Sequence, residues 1–545
     1  MKHSKLLLLF IFCLTQYASA TDYFWVGGTG YWNELEHWAT TSGGSTFHTS
    51  EPDSLDDVYF DVNSFDAPGQ ICYIPDSSMC GSIIAQGVLH EPKLEHEGNY
   101  VSKFFVYGDI LLSDEIDRNF KYIAMKGSGA ISIATEGRSL GGGTFLVMQN
   151  EEMVVNLQDT LRVGNLYVNA GEFYSNGHYI DLNSRLYIFS DQTVDMGSSR
   201  IDIPLKLQVF ESEFIDLSNT TIYFGYESLT STRQFAGDDE DYGTLYFLGS
   251  VHITSSNSYQ DFIGLPGSVI AFAAGSTQIA TQFHLQGTID SLVTLLSYET
   301  GSEFYLEQNA GTVAGQYLSL TDCHAQGGAT FNAFDTYDQG NNSGWNISPF
   351  QPEEYFWIGG SGNWSDIEHW ATTSGGTTTH VTPPSQIDQV YFDQNSFNTG
   401  NAEVIIDVNA SCEDLNMSTI DQAMTFSQNN SVVLNIYGSL WLSEQADYSF
   451  DQIFFRSTEA EETISTSNAH MGPQSDLEFI SAALFALEGD LTAREVFFTQ
   501  GDFNSNGYDI NTNFSFEIYF VNGGNIDLSN STITTQHYDG GYFPE

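Results

Sequence analysis

Apolar residues along this chain come in short triplets separated by turn formers. Leu166-Tyr167-Val168, Leu186-Tyr187-Ile188 and Leu207-Gln208-Val209 return at spacings of 20 and 21 residues, with Phe145-Leu146-Val147 and Ile123-Ala124-Met125 preceding them at 21 and 22. Alternation over so few positions predicts short strands with one face inward, and the intervening Asn, Gly, Ser and Asp predict turns. A second echo keeps the same period: VDMGSSRI from Val194 is followed by IDLSNTTI from Ile215, with Asp195 and Asp216 21 residues apart. A β-sandwich would place hairpin signals roughly every 8–12 residues instead. The expected fold is all-β, a parallel β-helix (β-solenoid) of about 20–22 residues per coil, whose inward residues stack into one core.

A longer period overlies the short one. YFWVGGTGYWNELEHWATTSGG from Tyr23 returns as YFWIGGSGNWSDIEHWATTSGG from Tyr355, identical at 16 of 22 positions and offset by 332. DDVYFDVNSF from Asp56 returns as DQVYFDQNSF from Asp388 at the same offset, and GEFYSNGHYIDL from Gly171 as GDFNSNGYDINT from Gly501. The domains expected are therefore 21–350, a first cap plus solenoid module, and 351–545, a second that stops short, with SPFQPEE as the linker. An end at a point matching only the middle of the first module would leave an open sheet edge, so the chain is expected to be a fragment of a longer repeat protein. The repeated segment opens each module and ignores the coil period. Trp25, Trp32 and Trp38, with Trp357, Trp364 and Trp370, are expected to form a cap over the first coil, Gly27, Gly28 and Gly30 supplying positive-φ turns. Exposed, the same indoles would form a sugar-stacking surface.

The first 20 residues carry a different signal. Lys2 and Lys5, an apolar run from Leu6 to Leu14 and Ala18-Ser19-Ala20 have the order of a secretory signal peptide, with a mature start near Thr21. No later apolar run is long enough to span a bilayer as a helix. Composition agrees with strands: 50 Gly, 40 Phe and 29 Tyr, against only 15 Lys plus Arg. The formal net charge of −55 excludes nucleic acid as a natural partner and disfavours anionic membranes, because both are bound through Lys and Arg. Such a surface is soluble in salt and attracts cations.

That acidity raises calcium as the one cofactor to test. Asp56 and Asp61, repeated as Asp388 and Asp393, are candidate oxygen ligands, as are Asp335 and Asp338 near the end of the first module. The run Asp238, Asp239, Glu240, Asp241 is denser. None follows a known calcium-loop spacing, and turn formation through side chain to backbone bonds explains Asp and Asn equally well. His37 and His48, matched by His369 and His380, would complete a metal set with Asp56 or Asp61, but their ten-residue gap fits no ligand spacing and a packed imidazole is as natural. Cys72, Cys80, Cys323 and Cys412 are too few for a disulfide scaffold. Cys72 and Cys80 would suit a local bridge, yet Cys412 matches Cys80 while Val404 matches Cys72, which favours small buried hydrophobes. Gly27-Gly28-Thr29-Gly30 lacks the lysine and strand-to-helix setting of a phosphate loop. No nucleophile–base pair stands out, and carboxylate pairs prove nothing in so acidic a chain.

W-x-G-G-x-G-x-W, then H-W, then D-x-V-Y-F-D-x-N-S-F, with Cys80 and Cys412 some 20 residues on and the tail GGATFNAFDTYDQGNNSGWNI from Gly327, resembles the repeat modules of large secreted surface proteins of the Bacteroidota. Those resemble autotransporter passengers in their solenoid fold, and many end in a type IX secretion sorting domain, which this sequence does not show. The resemblance implies a secreted or cell-surface, adhesin-like role; with it, the residues lead to the expectation of a structural or adhesive repeat without catalysis, with extracellular glycans or cell-surface components as partners. The alternative is a carbohydrate-binding or polysaccharide-degrading β-helix.

Overall fold

The computed structural model describes residues 20–539 apart from 190–191, 211–213, 226–232, 290, 399, 430, 458–460, 468, 470, 472–473 and 520–523. The first 20 residues, read above as a signal peptide, lie outside the described residues except for Ala20. The described chain is 53% strand and 1% helix, wound as a parallel β-solenoid of about 20 turns. It divides into two compact units, Met1–Pro349 and Phe350–Glu545.

In the first unit the triplets stack in register as the period predicts. Ile123 pairs with Leu146, Leu146 with Leu166, Leu166 with Leu186, Leu186 with Leu207, and the column continues through Phe235, Ile253 and Phe272. Every one of these side chains is buried. A second column runs Val58, Ile83, Ile110, Ile133 and Leu157. Parallel stacking of this kind satisfies the backbone donors coil to coil, and each buried Leu or Ile contributes about 1.5–3 kcal/mol. The second unit has the equivalent column Val390, Leu415, Leu440, Ile464 and Leu487.

Two details differ from the sequence reading. Spacing aligned Phe145 with Leu166, but Leu146 takes that place and Phe145 pairs with Asn165. A one-residue slip exchanges the faces of a strand, and Leu146 and Met148 fit the core while Phe145 goes to the outer face. The second correction concerns Gly30, which lacks the positive φ of Gly27 (+86°) and Gly28 (+77°). Its absent side chain is what matters: a Cβ there would run into Nε2 of His37, and at Gly362 into Nε2 of His369.

Alongside the main sheets each unit has a short four-stranded parallel sheet. In the first it comprises Gly30–Tyr31, Ile71–Ile74, Lys93–His96 and Asp117–Asn119. The second repeats it with Gly362–Asn363, Ala402–Ile406, Met424–Gln428 and Ala446–Ser449. Gly30, Cys72, Leu94 and Arg118 share one register row, matched by Gly362, Val404, Phe426 and Tyr448. The duplication therefore extends to the pairing of individual residues.

Candidate functional site

The opening segment packs identically in both units. Asp22–Trp25 pairs parallel with Asp57–Phe60 on one edge and antiparallel with Trp38–Ala39 on the other, and Glu354–Trp357 makes the same two pairings. All six tryptophans have relative exposures of 0–1%. Trp38 meets Trp25 and Trp32 edge to face at centroid distances of 5.0 and 4.9 Å, and Trp370 meets Trp357 and Trp364 at 4.9 and 4.8 Å. Trp25 Nε1 donates to Gly28 O and Trp38 Nε1 to Trp32 O, as Trp357 and Trp370 do to Gly360 and Trp364. A sugar ring needs an open aromatic face, and these faces are covered by protein.

The four repeated histidines belong to the same packing. His37 stacks on Trp25 at 4.5 Å and His369 on Trp357 at 4.6 Å. Each Nδ1 lies 2.6 Å from a carbonyl, Val26 O or Ile358 O, and since a carbonyl only accepts, Nδ1 carries the proton. His48 and His380 stack on Tyr23 and Tyr355. Cys72, Cys80, Cys323 and Cys412 are free and buried, and burial pushes the thiol of Cys323 up to about 12. The Cys72–Cys80 bridge is thus not formed.

The six acidic candidates are spread among turns rather than gathered. Asp56 accepts from the Thr21 backbone and hydroxyl and from Asp53 N, and Asp388 from Glu353 N and from Ser385 N and Oγ. Asp61 and Asp393 each accept from the backbone two residues on, at Asn63 and Asn395. Asp335 takes Gln316 Nε2, while Asp338 takes Gly340 N and Asn342 Nδ2. Asp238 and Asp239 hold left-handed φ values of 58° and 63° in a turn ahead of the strand Asp241–Leu248. Among the described residues no group of three or more His, Cys, Asp or Glu side chains is placed to hold a metal ion. With these carboxylates already engaged by backbone and side-chain donors, the thermal midpoint of the full chain after EDTA treatment is expected to respond equally to Ca²⁺ and Mg²⁺ at fixed ionic strength. A rise specific to Ca²⁺ would reinstate these carboxylates as ligands.

A surface feature missed in the sequence lies on the outer face of the first unit. Tyr122, Phe145, Tyr167 and Tyr187, all partly exposed, form a row with successive centroids 6.0, 5.8 and 4.6 Å apart. Lys103 sits over the Tyr122 ring at one end and Lys206 over Tyr187 at the other. Tyr167 and Tyr187 are the outward middles of the very triplets that revealed the period, so the signal was present. No described helix is long and apolar enough to cross a membrane. Comparison of the chain with protein-family models, curated proteins and solved structures gives no match.

Proposed function

We propose that this is an exported structural or adhesive repeat protein, without catalysis, that works at the cell surface or in the surrounding medium. The opening segment serves as the cap of each solenoid unit, because its Trp38–Ala39 strand occupies the edge that the first parallel strand would otherwise leave open. One observation carries the functional reading: two units with matching register rows differ on the outer face, where Tyr122 and Phe145 of the first correspond to Gln452 and Asp476 of the second. An adhesive or scaffolding repeat needs that division, since a rigid core sets the spacing and the outer face meets the partner. The Bacteroidota-type surface modules that the sequence resembles agree with it, as does the signal-like start. Partners are extracellular glycans or cell-surface components, and the strongly acidic charge disfavours nucleic acid.

A second reading, glycan binding, is favoured by the row from Tyr122 to Tyr187, whose half-exposed rings suit the apolar faces of sugars. Fractionation of producing cells with N-terminal sequencing tests the first reading. The expected result is protein in the surface or medium fraction beginning at Thr21. Full-length chain retained in the cytoplasm would sink it.

A further inference from the structure

The first unit holds a basic cleft in an otherwise acidic molecule. Lys93, Arg118, Arg138 and Arg162 line one open cavity of about 530 Å³, with Asp117 and the glycine wall at Gly141 and Gly142. These are four of only 15 lysines and arginines in the whole chain, facing 70 carboxylates. Successive coils bring them together: Lys93 pairs with Asp117 across the short sheet, and Ser139 bridges to Arg162 in the next turn.

Arg118 is the unusual member. It occupies an interior row of the solenoid and is 4% exposed. Its Nη1 donates to Leu112 O and its Nη2 to Ser113 O and Thr135 O, while Nε has no acceptor among the described residues. Among the described residues no carboxylate forms an ion pair with it, although Asp159, Asp117 and Glu136 act on it from a distance, and burial of a cation without a direct partner is costly. Arg138 is exposed, and its side chain makes no ion pair or hydrogen bond among the described residues. Arg162 is held by Asp181 and Gly137 O, and Lys93 by Glu95.

The second unit shows that the fold does not require these charges. Lys93 corresponds by register to Thr425, Arg118 to Tyr448 and Arg162 to Thr492. Arg138 corresponds to Ala469, whose N–H bonds Thr466 O as that of Arg138 bonds Thr135 O. The Tyr448 hydroxyl donates to Ser443 O, the counterpart of a carbonyl that Arg118 serves. A neutral side chain therefore completes the same interior position. The four positions that carry cations in the first unit carry Thr425, Tyr448, Ala469 and Thr492 in the second, so the fold itself does not account for the charges.

We propose that this cleft binds a sugar bearing an oxyanion, a uronate carboxylate or a sulfate group, with the exposed Arg138 as its main direct contact and the buried Arg118 adding positive charge from beneath. Planar guanidinium groups match the two oxygens of such a group. The volume lies within the roughly 300–1,000 Å³ of small-ligand sites. An aromatic partner stands at the rim: Tyr100 is 59% exposed, its hydroxyl lies 3.1 Å from where a Gly143 side chain would begin, and its ring packs on Phe145 of the outer row. Cation and exposed ring together suit an acidic sugar better than a bare anion. The surrounding negative field repels dense polyanions, which selects a glycan with isolated acidic groups. Sugar as the carrier rests on the exported reading above; binding of the oxyanion does not.

Calorimetric titration of the full chain tests this with a galactose trisaccharide ending in one galacturonate, its all-galactose counterpart, a monosulfated galactose trisaccharide and inorganic sulfate. The expected result is at least tenfold tighter binding of an acidic trisaccharide than of the neutral one. Arg138→Ala and Lys93→Thr, which install the second unit's residues at exposed and half-exposed positions, are expected to weaken it at least tenfold with an unchanged thermal midpoint. Arg118→Tyr, which removes the buried charge, should also weaken binding, and its folding is checked by circular dichroism. Equal binding of neutral and acidic trisaccharides overturns the proposal, as does an unchanged affinity in Arg138→Ala. Sulfate bound as tightly as the acidic sugars overturns the sugar while leaving an anion site, which separates failure of the carrier from failure of the cleft. Absence of all anion binding overturns the site itself, whatever the protein's location.

Discussion

Trp38→Ala is expected to destabilise the opening turns of the first unit by about 3–5 kcal/mol, the largest single-residue effect anticipated here. The indole is fully buried and sits at the centre of the cluster, edge to face against Tyr23, Trp25 and Trp32. Removing it leaves a cavity that its rigid neighbours cannot fill, and Trp32 O loses the Nε1 donor 2.6 Å away. The antiparallel pairing of Trp25 with Trp38 fails with it, exposing the first parallel edge. Because a solenoid transmits stability mainly between neighbouring coils, the loss is expected to be local. Amide exchange should accelerate over residues 22–60 and fade along the coils. Trp370→Ala should do the same in the second unit. Val381→Ala, at an 88% exposed position, should stay within about 0.5 kcal/mol of the parent. Uniform acceleration across the unit would show that the cluster does not act as a local cap.

The second large effect is a loss of stability in mild acid through His96. This ring is fully buried in the strand Lys93–His96, its Nδ1 accepting from the Lys121 N–H at 3.3 Å. The proton of the neutral ring therefore sits on Nε2, which has no acceptor among the described residues. Burial pushes its pKa down to about 4; Asp76 and Glu95 oppose the shift and Lys121 adds to it. The folded state keeps the ring neutral while the unfolded chain takes a proton near the ordinary value of about 6.5. Stability from this group is thus complete above about pH 6.5 and is lost as pH falls toward 4, amounting to roughly 3 kcal/mol.

The second unit supplies the control. Gln428 stands at the register position of His96, accepts from Asp451 N as His96 accepts from Lys121 N, and donates to Val432 O. His96→Gln should therefore fold and show a flatter denaturation profile between pH 6.5 and 4. Carboxylates titrate in both proteins, so the difference between the two profiles isolates the histidine. Parallel profiles would remove His96 from the account.

How much was legible in the sequence follows from which forces act locally. Alternation within a triplet and turn residues between triplets are properties of a few neighbouring residues, so strands, coil period and the all-β solenoid were readable from Leu166, Leu186 and Leu207 alone. The duplication was readable because both copies keep the Trp, Gly and His positions whose packing leaves no latitude. Register was not, because coil length varies and the choice between Phe145 and Leu146 depends on which side chain fits the core left by neighbouring coils. Nor was the role of Gly30, whose constraint is an imidazole seven residues away that folds back over it. Asp61 and Asp338, named as candidate ligands, each accept a backbone N–H two residues on, because an Asp in that position finds such a partner without any fold. What only the tertiary structure decided was convergence. Lys93, Arg118, Arg138 and Arg162 are scattered along the sequence, and only stacking one coil upon the next places their charges in one cleft.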